Sequence, residues 1–149
     1  MRWIVMASLA LAACGTTQST QMIEVQNPTP KGASQPEVLE VQASGITVKL
    51  LEYAGGGLFE LDVKNVGAQT LLVDRDAIEL ITPLGERRLR EPGGAATSYT
   101  IPPMSAHHVN VRYDMSTVQS GDVVRLDFAK ALQLPGGATV PLTLSVKYY

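Results

Sequence analysis

Four side chains carry the clearest chemical potential in the sequence: Met104, His107, His108 and Met115. Thioether and imidazole ligands suit Cu(I), so the set reads as the candidate site of a periplasmic copper-binding carrier. Its spacing works against a local site. On an extended strand His107 and His108 point to opposite faces, and the stretch from Met104 to Met115 spans roughly 36 Å. The expected arrangement therefore puts His107 near a sheet edge, His108 on the solvent face and both methionines in loops, with no metal favoured.

Other combinations are weaker. Ser98, Ser105, His107, His108 and Asp114 supply the residue types of nucleophilic catalysis, but none lies in a Gly-x-Ser-x-Gly elbow. No His-Glu-x-x-His pair is present, and Gly55-Gly56-Gly57 is not followed by the Gly-Lys-Ser/Thr of a phosphate loop. Arg87, Arg88 and Arg90, flanked by Glu86 and Glu91, could meet an anionic partner, though a solvated hairpin with local ion pairs accounts for them better. Asp74, Asp76 and Glu79 have the oxygen ligands of a calcium site without EF-hand spacing or its glycine turn. The expectation is a non-enzymatic protein with no catalytic residues and no cofactor.

The single cysteine, Cys14, stands apart from all of these. It ends an apolar run from Trp3 to Ala13 that follows Met1 and Arg2, the order of a secretory leader. Eleven helical residues rise only about 16–17 Å, too short for a hydrocarbon core of roughly 30 Å. An odd thiol in an exported chain calls for an explanation. Leu11-Ala12-Ala13-Cys14 resembles the lipobox of bacterial lipoproteins, in which the cysteine thiol receives a diacylglyceryl group and the bond before it is cut. The resemblance implies a signal peptide over residues 1–13, acyl chains (palmitate among them) on Cys14 and a membrane partner held through that lipid. Gly15, where inner-membrane lipoproteins often carry aspartate, implies the outer membrane on its periplasmic side.

The elements that must follow are legible in composition and period. Gly15 to Glu37 is rich in Thr, Gln, Ser and Pro, so residues 14–37 read as a lipidated cysteine and flexible tether, stiffened at Pro28, Pro30 and Pro36. From residue 38 short apolar segments alternate with turn residues, the signature of an antiparallel β-sandwich or barrel. Expected strands are Val38–Ala43, Ile46–Tyr53, Leu58–Asn65, Ala77–Thr82, Arg87–Arg90, His107–Tyr113, Val123–Phe128 and Thr139–Tyr148. Period two assigns their faces: Phe59, Leu61 and Val63 oppose Glu60, Asp62 and Lys64, and Val109, Val111 and Tyr113 oppose His108, Asn110 and Arg112. Val140, Leu142, Leu144 and Val146 likewise oppose Pro141, Thr143, Ser145 and Lys147. Ala129–Leu134 fits either a helical turn or a loop.

Three stretches carry a further likeness: Phe59 through Gly67, Ile101-Pro102-Pro103 before His107–Tyr113, and Gly121 through Phe128. On these the segment 38–149 resembles small bacterial immunoglobulin-like sandwiches of the DUF4352 or telokin-like kind. The resemblance implies an all-β, immunoglobulin-like antiparallel sandwich of about seven or eight strands and names no substrate. The chain has one cysteine and lacks the Cys, Trp, Cys pattern of antibody domains. A formal charge of −2, one unit more acidic once Arg2 leaves with the leader, speaks against nucleic-acid binding. Together these features describe an envelope lipoprotein that presents its domain to an envelope protein partner or to envelope structure.

Overall fold

The computed structural model describes residues 22–24, 39–54, 56–94 and 96–148. Cys14, the leader and most of the expected tether lie outside the described residues. The described residues form β1 (Met22–Glu24), β2 (Leu39–Ala43), β3 (Ile46–Ala54), β4 (Leu58–Asn65), β5 (Leu71–Asp74), a 3₁₀ turn (Arg75–Ala77), β6 (Glu79–Ile81), β7 (Arg87–Arg88), β8 (Ser98–Ile101), β9 (Ser105–Arg112), β10 (Val123–Asp127), β11 (Leu132–Gln133) and β12 (Thr143–Lys147). The chain is therefore all-β, as period-two alternation predicts. Among the described residues no helix is long and apolar enough to cross a membrane.

Three sheets share one core. The first runs β2-β3-β4-β9, the second β1-β12-β10-β6-β7 and the third β11-β5-β8. All pairs are antiparallel except β1 with β12. Two chain segments run through both the second and the third sheet, since β6 pairs with β10 and β5 with β11. The 3₁₀ turn interrupts one segment while the turn at Phe128–Ala131 interrupts the other, and Asp74 N–H donates to Ala131 O at 2.8 Å across the break. The outcome is sandwich-like.

Alternation places the core where the sequence puts it. Phe59, Leu61, Val63 and Val109 are fully buried, and Val111 and Tyr113 nearly so. Aromatic rings line one end: Tyr53 lies 4.8 Å from Phe59, which lies 6.0 Å from Tyr113. In β12, Leu144 and Val146 are buried as expected, but so is Ser145, which sits in register between Met22 of β1 and Arg125 of β10.

Turn chemistry fixes the register of the first sheet. Ser44 and Gly45, with φ of 51° and 76°, make the two-residue link between β2 and β3, the pairing of positive φ values that a type I′ hairpin requires. Gly45 O accepts from Val66 N–H at 2.8 Å, so this turn rests on the one that follows β4. There Asn65, wholly buried, accepts from Gly67 N–H at 3.0 Å and donates to Gln69 O at 2.7 Å and Ile101 O at 3.0 Å. One amide thereby ties the end of β4 to the end of β8.

Several expectations change. Met22–Glu24 falls inside the stretch read as flexible tether, yet it pairs with β12; three residues were too few to show a period. Leu71–Asp74 and Ser98–Ile101 are strands not expected from the sequence, paired with each other over four residues. The strand expected over Ala77–Thr82 begins as the 3₁₀ turn, because Asp74 Oδ1 accepts from Asp76 N–H at 3.0 Å and bends the chain. The strand expected over Arg87–Arg90 keeps only its first two residues. Ala129–Leu134 resolves into a turn and the two-residue β11.

Candidate functional site

The possible copper ligands do not converge. Met104 is exposed on the turn into β9, with φ of 60°. His107 stacks on the Tyr99 ring of β8 at 4.3 Å and 40°. His108 lies on the opposite face, in register with Asp62 and 3.9 Å from Glu60. Met115 is beyond the far end of β9, against the core beside Gly57. Eight strand residues, about 26 Å, separate the methionines. Among the described residues no three His, Cys, Asp or Glu side chains group to hold a metal ion.

The serine, histidine and aspartate set is equally dispersed. Ser98 is in register with Asp74, Ser105 Oγ turns back to Pro103 O at 3.5 Å, and Asp114 accepts from Ser116 N–H at 2.9 Å past the other end of β9. That N–H, with the Ser116 side chain, holds the Asp114 carboxyl below its ordinary range. It is a turn cap.

The arginines, by contrast, form a built array, and β6 and β7 position it. Arg87 on β7 reaches across β6 to Glu79 and on to Asp127 of β10 at 2.9 Å, and Lys130 closes on Glu79 at 3.2 Å. Arg87 and then Lys130 hold the Glu79 carboxyl below its ordinary range against the opposing cost of burial. Arg88 points the other way, to Glu86 at 2.9 Å and to Asp114 O and Thr117 Oγ1. Arg90 pairs with Asp76 and donates to Gly93 O at 2.9 Å. The carboxylates of the supposed calcium set are all engaged elsewhere, Asp74 in capping the turn, Asp76 in holding Arg90, and Glu79 in holding Arg87 and Lys130.

One member escaped the sequence reading. Arg75 is buried in the 3₁₀ turn and has no carboxylate partner among the described residues. Its guanidinium donates to Gly93 O at 2.6 Å and to the Tyr99 hydroxyl at 3.4 Å, while its Nε has no partner among the described residues. Arg75 and Arg90 thus share one carbonyl oxygen and fasten the segment around Gly93, where a Cβ on Gly94 would fall 2.9 Å from Arg75. Glu91 N–H donates to Arg112 O at 2.7 Å, pinning the same segment to the end of β9. Arg87, Arg88, Arg90 and Lys130 each meet a carboxylate, while Arg75 spends its guanidinium on a carbonyl and a hydroxyl, so the array clamps loops. No local signal marks Arg75, because only tertiary packing removes it from water.

The outer face of the first sheet carries a second unforeseen order. Glu40, Lys49, Asp62 and His108 fall in register across β2, β3, β4 and β9. Opposite charges on neighbouring strands contribute roughly 0.2–1 kcal/mol per pair. At the margin of this sheet β9 presents an edge, capped at Arg112 O by Glu91 N–H, with exposed His107, His108, Asn110 and Arg112.

No protein-family model matches the chain, and no curated protein does. Among solved structures, the chain is similar to the yjhA protein from Bacillus subtilis, with a TM-score of 0.55 and 10% sequence identity over 86% of this chain and 100% of that one. At that identity the likeness is one of fold.

Proposed function

We propose that this protein is a cell-envelope lipoprotein whose lipid on Cys14 holds a non-enzymatic, immunoglobulin-like sandwich at the outer membrane, facing the periplasm, for contact with another envelope protein. The observation that carries the reading is the lone thiol of Cys14, set after Ala12 and Ala13 at the end of an eleven-residue apolar run that follows Arg2. Two or more acyl chains anchor a domain that one chain would hold only marginally.

Contact through a sheet edge draws support from β9, whose outer side ends the first sheet. An edge strand offers unpaired backbone donors and acceptors to an extended partner, and its exposed side chains add specificity. Immunoglobulin-like describes the two-layer architecture only: β2, β3 and β4 follow one another in one sheet, unlike the ABED and CFG order of antibody domains. A copper carrier draws no support from this geometry, because its four candidate ligands lie on both faces and towards both ends of β9.

Labelled fatty acid supplied to the source bacterium should enter the protein, and Cys14→Ala should abolish incorporation and release the chain from the membrane fraction. Photo-crosslinkers at His107 and Asn110 should then capture a discrete partner in the wild type and lose it when the domain is released. Unlabelled, membrane-free wild-type protein would overturn the anchoring.

A further inference from the structure

The β12 edge is filled by a strand from a distant part of the chain. Met22, Ile23 and Glu24 stand in parallel register with Ser145, Val146 and Lys147. On its other side β12 holds β10 antiparallel over five register pairs. Parallel pairing is slightly weaker per residue, and a three-residue strand has little cooperative support. It is a short occupant on a longer edge, since Thr143 and Leu144 pair with β10 but not with β1.

From this pairing we infer that the β12 edge is a strand-acceptor site, that Met22–Glu24 is its resident competitor, and that an extended, proline-free segment of a partner protein docks there parallel to β12 by displacing β1. The chemistry of recognition is main-chain hydrogen bonding, which β1 already demonstrates at this edge. The inference deepens the proposed interaction role by naming a second edge and its direction. Displacement also changes reach. With β1 docked, seven residues separate Cys14 from Met22; with it released, 24 residues separate Cys14 from Leu39. At about 3.4 Å per extended residue the limit rises from roughly 25 Å to roughly 80 Å. An anchored domain would therefore exchange a short standoff for a long one when its partner binds.

The test uses the full chain with Cys14→Ser in mild detergent and a synthetic peptide of residues 18–27 as probe, followed by amide-resolved NMR. Three forms are compared: the unaltered strand, Met22→Gly/Ile23→Pro/Glu24→Gly to vacate the edge, and Met22→Cys/Ser145→Cys to lock it by a disulfide between register partners. The peptide should shift the amides of Ser145, Val146 and Lys147. Binding should be tightest to the vacated form, about tenfold weaker to the unaltered form because a tethered strand competes at about millimolar effective concentration, and absent from the locked form until reductant is added. An Ile23→Pro peptide should not bind. Equal binding to locked and unaltered forms, or no binding to either the vacated or the reduced form, would overturn the inference. That failure would leave a partner crosslinked at β9 standing, whereas peptide binding here without any cellular partner would overturn both the interaction role and the docking of a partner at β12.

Discussion

Replacing Asn65 with aspartate changes one heavy atom and should make stability depend on pH at a site that does not titrate in the wild type. The amide nitrogen, fully buried, donates to Gln69 O at 2.7 Å and Ile101 O at 3.0 Å, while its oxygen accepts from Gly67 N–H. Asn65→Ala removes three bonds at about 1 kcal/mol each, so a loss of about 2–4 kcal/mol follows. Asn65→Asp keeps the accepting oxygen but turns the donor into a carboxylate facing two carbonyl oxygens in a dry site. Burial and those dipoles raise its folded-state pKa above the unfolded value, so the penalty is absent at low pH and grows by about 1.4 kcal/mol per pH unit until the folded pKa is passed. At pH 7 the cost should reach about 3–5 kcal/mol, exceeding that of Asn65→Ala. At pH 4 the neutral acid can donate once, and the order of the two variants should invert. Urea unfolding of wild type and both variants at each pH measures this directly. A difference between Asn65→Asp and wild type that is constant with pH, or below about 1 kcal/mol at pH 7, would refute the reasoning.

Other expectations follow from the same geometry. Tyr113→Phe keeps the ring beside Phe59 but strands Ile78 O, which accepts from the Tyr113 hydroxyl at 2.7 Å; about 1–3 kcal/mol should be lost, read as a lower Tm. Because burial holds that phenol far above its ordinary range, Tyr113 should stay un-ionised in an alkaline absorbance titration until the protein unfolds. Glu79 has a folded pKa below its unfolded value, so its contribution is complete above that unfolded value, near 4.5, and disappears as pH falls through the folded one. Glu79→Gln should therefore lower the Tm by an amount corresponding to about 0.5–1 kcal/mol at pH 7 and flatten the acid limb of the stability curve. Gly57→Ala should abolish folding as followed by near-ultraviolet circular dichroism, since φ is 79° and the added carbon would collide with Tyr113 O. Arg75→Met should speed hydrogen exchange around Gly93–Thr97 more than it lowers the Tm, because it removes a buried charge that has no carboxylate among the described residues, along with the clamp on that loop.

What could be read in advance was whatever repeats within a few residues. Alternation in Leu58–Asn65 and in the stretch before Tyr113 assigned their buried faces correctly, since a strand's two faces are set by parity alone. Strands of two to four residues have no room to repeat, so β1, β5, β8 and β11 left no usable signal. Asn65-Val66-Gly67 was legible as a turn, but not as the tie to Ile101 O, which lies 36 residues onward. The candidate sites divide in the same way. The opposed directions of His107 and His108 and of Arg87 and Arg88 follow from parity, and the arrangement agrees in both cases.

By itself, then, the order of residues determined an all-β chain, its alternating core and the lone Cys14 behind an apolar run. Those depend on local period and on side-chain chemistry, which need no partner elsewhere. Only the tertiary structure decided that Arg75 is buried without a carboxylate among the described residues, that Glu40, Lys49, Asp62 and His108 align across four strands, and that Met22–Glu24 lies on β12. Each of these joins segments far apart in the chain. Their pairing is settled by backbone hydrogen bonds and close packing between strands, whose strength depends on register rather than on any local pattern.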